Sequence, residues 1–279
     1  MPNLPATRLV KVILLLCLCL PHLGYGEIYQ WHDQQGKKHF SDRPHADAKL
    51  LQIKPSIPLY KVKTVYDGDT ILLEDGRRIR LLGINTPEIQ HKDKLAEAGG
   101  EAAKAWLLNK LQGTRVRLES DVEQFDKYGR TLAYIFSEKK EHLNVALVQA
   151  GLAATSIYPP NLKYAKELMA AEKQAEHQQL CIWQRPEYQT IAVTALTHQG
   201  HPGWTRLRGR VQTLRTTSKS VYLVLSERVE VRIERRWLHL FSQIDQYPGK
   251  TIEVRGWLRK HKQHFSMPIR HPSAIKLSN

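Results

Sequence analysis

The stretch RLLGINTPE at residues 80–88 decides the fold prediction, because it joins the end of a predicted β-strand to a loop rich in polar side chains. DGDT at 67–70 precedes it, and DKYGR at 126–130 follows it. Around these motifs apolar and polar residues alternate in short runs, which is typical of strands. The predicted strands are 60–65, 70–73, 77–82, 115–119 and 131–136. Five short strands favour a small β-barrel.

Three stretches with apolar residues at helical spacing accompany these strands, at 97–111, 144–150 and 162–178. The first interrupts the strand series and the other two follow it. This part of the chain is therefore predicted to be mainly β with three helices.

Residues 204–279 repeat the β pattern. Strands are predicted at 206–214, 221–225, 229–233, 251–258 and 264–269, with a helix near 237–244. Five strands with a helix between the third and fourth are the order of an oligonucleotide-binding (OB) barrel, and a generic five-stranded barrel is the alternative. From residue 200 onward there are 16 lysines and arginines against five acidic residues, which favours a polyanionic partner over a merely solvated basic surface.

The first 26 residues have the layout of a secretory signal peptide. Arg8 and Lys11 precede an apolar run at 12–20, and a small-residue stretch ends at Gly26. Nine apolar residues are far fewer than the roughly 20 needed to span a bilayer, so an uncleaved anchor is the weaker alternative. We expect cleavage near Gly26, a periplasmic or secreted protein and no membrane contact afterwards. Cys181 then remains the only thiol, and we predict that it is buried.

Residues 27–43 alternate on each side of a DQQG turn, which predicts a hairpin. This segment resembles a short domain of unknown function found at the N-termini of bacterial envelope proteins. Prolines at 44, 55 and 58 indicate a linker. The predicted organisation is a signal peptide at 1–26, a hairpin domain with linker at 27–58, a barrel domain at 59–186, a linker at 187–203 and a basic OB-like domain at 204–279.

The polar residues of the first barrel combine carboxylates with arginines. Asp69 opens one predicted strand, Arg80 lies in the next, and Arg130 precedes another. Such strand ends can converge at one barrel mouth. Oxygen ligands for a hard cation, a base for water and guanidinium groups for growing negative charge are what hydrolysis of a phosphodiester needs.

Residues 59–184 resemble the staphylococcal nuclease family, through these motifs, the run at 144–153 and the closing Ile182-Trp183. The resemblance implies an OB-type five-stranded barrel with three helices. It also implies a Ca²⁺-dependent nuclease that cleaves DNA and RNA to 3′-phosphorylated products. Whether DNA or RNA is preferred stays open.

Residue roles follow from the resemblance position by position. Asp69 and the Thr86 backbone carbonyl would bind calcium, and Glu88 would be the general base. Arg80 and Arg130 would stabilise the five-coordinate phosphorus. The remaining matched positions contact nucleotide, namely Lys127, Tyr128 and Tyr158.

Asn85 departs from the family pattern, which has aspartate as a direct metal ligand there. An amide oxygen still coordinates Ca²⁺, but the site loses one negative charge, so weaker calcium binding is predicted. Asp67 is either a support for the metal ligands or a turn residue.

The predicted function is an exported Ca²⁺-dependent nuclease whose basic C-terminal domain tethers single-stranded DNA or RNA. The alternative is a nucleic-acid-binding protein of the same fold with weak or lost catalysis, which Asn85 alone supports. An envelope protein that binds acidic polymer does not account for the motif set. The histidines lack a trustworthy zinc-ligand spacing, and a monomer is the default because no heptad run is visible.

Overall fold

The computed structural model of the chain describes residues 27–51, 57–90, 96–196 and 203–278. They divide into two compact units, Met1–Ile57 and Pro58–Asn279. The predicted signal peptide and residues 197–202 of the second predicted linker lie outside the described residues. Within the described ranges, no helix combines the length and apolar character that crossing a bilayer requires.

The N-terminal unit contains a three-stranded antiparallel sheet. The predicted hairpin is present as β1 (Ile28–His32) and β2 (Lys38–Ser41). Its turn is closed by Asp33, whose Oδ1 accepts hydrogen bonds from the backbone N–H groups of residues 35 and 37. A third strand, β3 (Lys49–Leu51), pairs with β1 and was not predicted.

The second unit begins with a closed five-stranded barrel, as predicted. Its inward side chains alternate along each strand, and those of Ile71, Leu73, Ile79 and Val116 are fully buried. The third and fifth strands in sequence lie side by side and parallel, so the order is first, second, third, fifth, fourth. The strands are β4 (Leu59–Val65), β5 (Thr70–Leu73), β6 (Arg78–Leu81), β8 (Arg115–Glu119) and β9 (Thr131–Ser137).

The three predicted helices pack around this barrel with bounds close to those expected. They are α1 (Gly100–Leu111), α2 (Leu143–Gln149) and α3 (Ala165–His177). Two short strands that the sequence did not predict, β7 (Gly83–Asn85) and β10 (Ala154–Ser156), form a separate antiparallel pair. β7 follows the end of β6 directly and leads into the polar loop of residues 85–88.

One buried side chain ties this region together. Asn144 is completely buried at the start of α2, its Oδ1 accepts the Ile135 N–H at 2.9 Å, and its Nδ2 donates to the Leu82 carbonyl at 2.8 Å. Both bonds are shielded from water, so losing either partner would leave a buried polar backbone group unsatisfied. Asn144 therefore fixes the backbone that leads into β7.

The prediction that Cys181 is buried was wrong. Cys181 is exposed, with φ of 43°, at the start of a 3-10 turn, Cys181–Gln184. The same turn buries Ile182 and Trp183 completely. The left-handed backbone at Cys181 turns the apolar pair inward and leaves the thiol on the solvent side.

The C-terminal part forms a second barrel-like sheet with the strand order of the first. Its first strand is bent into β12 (Gly203–Arg210) and β13 (Thr213–Thr216), which pair with opposite ends of the strand series. The third and fifth strands are again parallel neighbours, which is the OB-like order predicted. The other members are β14 (Ser220–Ser226), β15 (Val229–Glu234), β16 (Thr251–His261) and β17 (His264–Ile269).

The predicted helix near 237–244 is replaced by two 3-10 turns, Arg235–Leu240 and Ile244–Gln246. Gln243 between them has φ of 54°, in the left-handed region, which interrupts a continuous helix. Two further strands extend the sheet. β11 (Thr190–Ala192), in the described part of the predicted linker, pairs in parallel with β12, and β18 (Ile275–Ser278) pairs with β16.

The two barrels are joined by a buried cluster of ion pairs. Arg255 of β16, only 3% exposed, contacts Glu176 of α3 at 3.2 Å and Glu253 of its own strand at 2.9 Å. Its Nη1 also lies 3.1 Å from Glu172 Oε2, without the alignment of a hydrogen bond. Arg206 of β12 bonds both Glu176 and Glu253.

Aromatic side chains surround the same junction. The guanidinium groups of Arg206 and Arg255 lie 5.6 and 5.8 Å from the ring centre of the fully buried Trp183. Trp204 of β12 packs against Trp183 of the first barrel domain and against Tyr188 of the segment that follows it, with ring centres 6.2 and 5.0 Å apart. The surrounding apolar rings keep water from the ion pairs, so the two barrels are held as one body.

Removing Arg255 should destabilise the protein strongly. Arg255→Met removes the guanidinium group that lies among Glu172, Glu176 and Glu253. Arg206 still pairs with Glu176 and Glu253, but among the described residues Glu172 is left buried without a cationic partner. Breaking a buried ion pair by removing one partner typically costs about 3–5 kcal/mol. Arg215→Met removes the exposed pair with Glu230 and should cost less than about 1 kcal/mol. Urea unfolding of the full chain measures both, and equal losses for the two variants would contradict the assignment.

Acid should weaken the same junction. Burial raises the pKa of Glu176, but Arg255, Lys276 and Arg206 outweigh it and hold the pKa at about 2, against 4.5 ordinarily. A carboxyl group with a lowered folded-state pKa contributes stability that is complete above its ordinary pKa and is lost as the pH falls toward 2. The free energy of unfolding should therefore fall between about pH 5 and pH 2. Glu176→Gln should show a shallower fall, and an unchanged slope would contradict it.

Candidate active site

The DGDT motif forms a tight turn at the mouth of the first barrel. Asp67 Oδ1 accepts the Asp69 N–H at 2.9 Å, which closes the turn. A Cβ atom at Gly68 would lie 2.6 Å from Ala103 Cβ and 2.7 Å from Thr86 Cγ2, so only glycine allows this close approach. The turn is thereby pressed against both α1 and the loop that follows β7.

Asp69 is buried and held by two hydrogen bonds and one ion pair. Its Oδ2 accepts the Thr86 N–H at 3.0 Å and lies 3.0 Å from Arg80 Nη2, and its Oδ1 accepts the Thr70 hydroxyl. The same Arg80 nitrogen lies 3.4 Å from Asn85 Oδ1. Arg80 therefore contacts the side-chain oxygens of two predicted metal ligands.

Two of the predicted metal ligands, Asn85 and Thr86, are hydrogen-bonded to each other. Asn85 Nδ2 donates to the Thr86 carbonyl oxygen at 3.2 Å. An aspartate at this position has no proton to donate, so this contact is specific to the amide. Asn85 thus accepts from Arg80 with one end and holds the Thr86 carbonyl with the other.

Glu88 lies on a loop fixed to the start of α1. Its backbone N–H donates to Glu97 Oε2 at 3.0 Å, and its carbonyl accepts the Glu97 N–H at 2.8 Å. A Cβ atom at Gly100 would lie 2.7 Å from the Glu88 carbonyl oxygen, so the loop and the helix are in direct backbone contact. These contacts fix the backbone from which the half-buried Glu88 carboxylate projects.

The DKYGR motif forms the hairpin end that carries the second arginine. Asp126 Oδ1 accepts the backbone N–H groups of Tyr128 and Arg130, and its Oδ2 accepts Arg130 Nε at 2.7 Å. Burial raises the pKa of Asp126, but these hydrogen bonds outweigh it, so the pKa lies below its ordinary value. Tyr128 is 72% exposed, with Lys127 Nζ 4.8 Å from its ring centre.

Most predicted site residues meet at one cavity of about 640 Å³, called here the Asp69 cavity. Thr86 is buried behind its wall, and Lys127 lies outside it. Seven of the nine predicted residues line it: Asp69, Arg80, Asn85, Glu88, Tyr128, Arg130 and Tyr158. The structure therefore brings the predicted metal ligands Asp69 and Asn85, the predicted base Glu88 and the two arginines together, while their chemical roles stay predictions.

A second cavity of about 630 Å³, called the Arg270 cavity, adjoins the first. The two share the side chains of Arg80, Asn85, Tyr128, Arg130 and Tyr158. Lys127 lines the second cavity, so all three predicted nucleotide-contacting residues lie along this continuous surface.

Four of the cavity residues that sequence reasoning missed are arginines or tryptophan. Arg78 lies two positions before Arg80 on β6, and this period-two spacing was a usable signal, since both side chains then point to one face. The other three, Trp257, Arg259 and Arg270, come from the second barrel. Nothing local in the sequence links them to the first barrel.

The acidic side of the Asp69 cavity is electrostatically crowded. Burial, followed by the charge of Asp69, raises the pKa of Asp67 to about 6. The three predicted metal ligands all offer oxygen atoms, namely the Asp69 carboxylate, the Asn85 amide oxygen and the Thr86 carbonyl. In the described ranges, no three His, Cys, Asp or Glu side chains cluster as a metal site. The donor set is thus mixed, and carboxylate, amide and carbonyl oxygens are the ligands that Ca²⁺ accepts.

Comparison with known proteins identifies the family. The sequence profile described as staphylococcal nuclease homologue matches residues 78–185, and a domain of unknown function (DUF4124) matches residues 15–58. A protein named thermonuclease from Staphylococcus intermedius is 46% identical over 129 residues, which are 45% of this chain and 76% of the relative. The chain belongs to the staphylococcal nuclease family.

Two further relatives support this assignment. A thermonuclease from Staphylococcus hyicus is 39% identical over 127 residues, covering 44% of this chain and 75% of the relative. The endonuclease YncB of Bacillus subtilis is 33% identical over 129 residues, which are 44% of this chain and 61% of the relative. These similarities extend over less than half of this chain.

Proposed function

We propose that the protein is a nuclease that hydrolyses phosphodiester bonds of DNA, RNA or both. The observation that carries this proposal is the convergence of Asp69, Arg80, Glu88 and Arg130 on one cavity. A carboxylate base and two guanidinium groups around one space are the groups that phosphoryl hydrolysis needs.

Glu88 is the proposed general base. Its carboxylate would take a proton from a water molecule as the water oxygen bonds to phosphorus. The bond from phosphorus to the 5′-oxygen then breaks, and the 5′-oxygen leaves with the bonding electron pair and takes a proton from solvent water. The product keeps the phosphate on its 3′ side. Positioned proton transfer of this kind typically contributes 10²–10⁴-fold to a rate.

Arg80 and Arg130 are the proposed phosphate ligands. Negative charge grows on the equatorial oxygens as phosphorus becomes five-coordinate, and a planar guanidinium group donates two parallel hydrogen bonds to such oxygens. Asp126 holds Arg130 at 2.7 Å, and Asp69 holds Arg80 at 3.0 Å. Both arginines are thus positioned by carboxylates before substrate arrives.

Calcium is the proposed cofactor, held by Asp69, Asn85 and the Thr86 carbonyl. A bound divalent cation supplies positive charge next to the phosphate and lowers the pKa of water. Since Arg80 contacts both Asp69 and Asn85, it lies beside the proposed metal ligands.

Export to the periplasm or the medium, after removal of residues 1–26, is part of the proposal. It rests on the sequence pattern of that segment. A monomer is proposed, and the basic second barrel is proposed to retain nucleic acid by phosphate contacts.

The nuclease proposal predicts that activity depends on Glu88 and on calcium. Glu88→Gln should lower the cleavage rate of single-stranded DNA by about 100-fold or more. Glu101→Gln, an exposed change on α1, should keep the wild-type rate. Cleavage is measured by gel electrophoresis with Ca²⁺ and with a chelator. Full activity of the Glu88 variant, or cleavage that ignores the chelator, would contradict the proposal.

A binding protein of the same fold, with weak or lost catalysis, is the second candidate. One observation favours it: Asn85 is neutral and donates to the Thr86 carbonyl. An added charge about 4 Å from a cation is worth up to roughly 4 kcal/mol at an effective dielectric constant of 20, before desolvation returns part of it.

Asn85→Asp separates the two candidates. In a nuclease it should lower the half-saturating calcium concentration about tenfold or more, as measured by cleavage and by calorimetric titration of Ca²⁺. Asn109→Asp, an exposed change on α1, controls for added charge. If the wild type and Asn85→Asp both fail to cleave while binding nucleic acid, the second candidate is supported.

A further inference from the structure

Residues of the second barrel line the cavities at the active site of the first. Trp257 lines the Asp69 cavity, and Arg259 and Arg270 line the Arg270 cavity. Arg259 is exposed on β16, and Trp257 lies two positions earlier on the same strand. Residues two apart on a strand point to the same face, so both side chains can face the groove.

Arg270 reaches across to the first barrel. Its guanidinium carbon lies 4.5 Å from the ring centre of Tyr158, one of the residues shared by both cavities. In the part of the chain that the structure describes, neither Arg259 nor Arg270 forms an ion pair with a carboxylate. By contrast, Arg206 and Arg255 of the same barrel are neutralised at the junction. The second barrel therefore contributes to the groove two positive charges that are not paired with a carboxylate.

We propose that the groove between the two barrels is a channel for a single nucleic-acid strand, in which Arg259 and Arg270 bind backbone phosphates and Trp257 stacks on a base next to the cleaved bond. This rests on the proposed nuclease function and names its substrate class. The second barrel is then one wall of the substrate site.

The composition of the groove fits a single strand. Tyr128 and Tyr158 are 72% and 44% exposed, and together with the half-buried Trp257 they offer aromatic faces along the two cavities. Bases stack on such faces only when they are not already stacked in a duplex. Arg270 and Arg130 lie beside these rings, 4.5 Å from the Tyr158 ring centre and 5.6 Å from the Tyr128 ring centre, where they can bind the backbone that joins successive bases.

The fixed junction between the barrels gives the groove its shape. Arg255, which contacts Glu176 of the first barrel, lies between Val254 and Trp257 on β16, only two positions from the tryptophan. The ion pairs that dock the barrels therefore also set the position of the channel wall. No rearrangement is needed to bring the wall to the active site.

Binding without cleavage tests the channel. The full chain is mixed with a fluorescein-labelled 12-residue oligothymidylate in a chelator, and anisotropy is measured at several salt concentrations. Each phosphate contact contributes about 0.7 to the slope of log affinity against log salt for single strands. The double variant Arg259→Gln/Arg270→Gln should bind at least about tenfold more weakly and lose about 1.4 from the slope.

Two further variants separate the contributions. Trp257→Ala should weaken binding about 5- to 100-fold with an unchanged salt slope, because stacking releases no counterions. Arg208→Gln/Arg235→Gln removes the same charge from exposed positions of the same barrel that line neither cavity, and should keep the slope. Unchanged thermal midpoints show that the variants are folded.

If Arg259→Gln/Arg270→Gln binds with the affinity and the salt slope of the wild type, the channel proposal is wrong. It is also wrong if a duplex of the same length binds more tightly than the single strand. An equal loss in the control pair would assign the effect to general charge and would also overturn it. Because cleavage is not measured, the result is independent of the nuclease proposal. A chain that shows these binding effects but never cleaves with Ca²⁺ would refute the nuclease and keep the channel.

Discussion

The buried contact of Arg255 with Glu172, Glu176 and Glu253 is the interaction on which the rest of the second unit depends. Charges removed from water are costly, and the cost is recovered only when each finds a partner. Burial lowers the pKa of Arg255, but the three carboxylates outweigh it and hold the pKa above its ordinary value. The guanidinium group therefore stays charged, and the two barrels are locked at a defined angle rather than joined by a flexible tether.

At the active site, too, each arginine is held in position by a carboxylate. Arg80 is held by Asp69, Arg130 is held by Asp126, and both carboxylates are themselves fixed by backbone N–H groups. Each arginine is thus oriented by an acid that is oriented by a turn. Preorganised donors of this kind need little rearrangement when charge develops on a substrate, which is why they accelerate reactions.

Much of the first barrel could be predicted from the sequence, because its signals are local. β5 and β8 have the predicted bounds, and Asp69, Arg80 and Arg130 occupy strand ends or turns that alternation and glycine positions reveal. The short strands β7 and β10 were missed because three residues carry too little periodicity. The prediction of a helix near 237–244 was wrong because Gln243 adopts a left-handed backbone conformation. Glutamine gives no sequence signal for that conformation.

The second wall of the groove was beyond local prediction for a different reason. Trp257 and Arg259 alternate with buried residues as any strand of a basic barrel does, and their place at the cavities depends on which face of that barrel docks. That choice is made by Glu172 and Glu176, one helical turn apart on α3 and thus on one face. A buried pair of acids on one helix requires cations as partners, and the second barrel has the largest surplus of them, with 16 lysines and arginines against five acidic residues. The charge imbalance noted in the sequence therefore has two uses, since Arg206 and Arg255 dock the barrel while Arg259 and Arg270 remain for the proposed substrate.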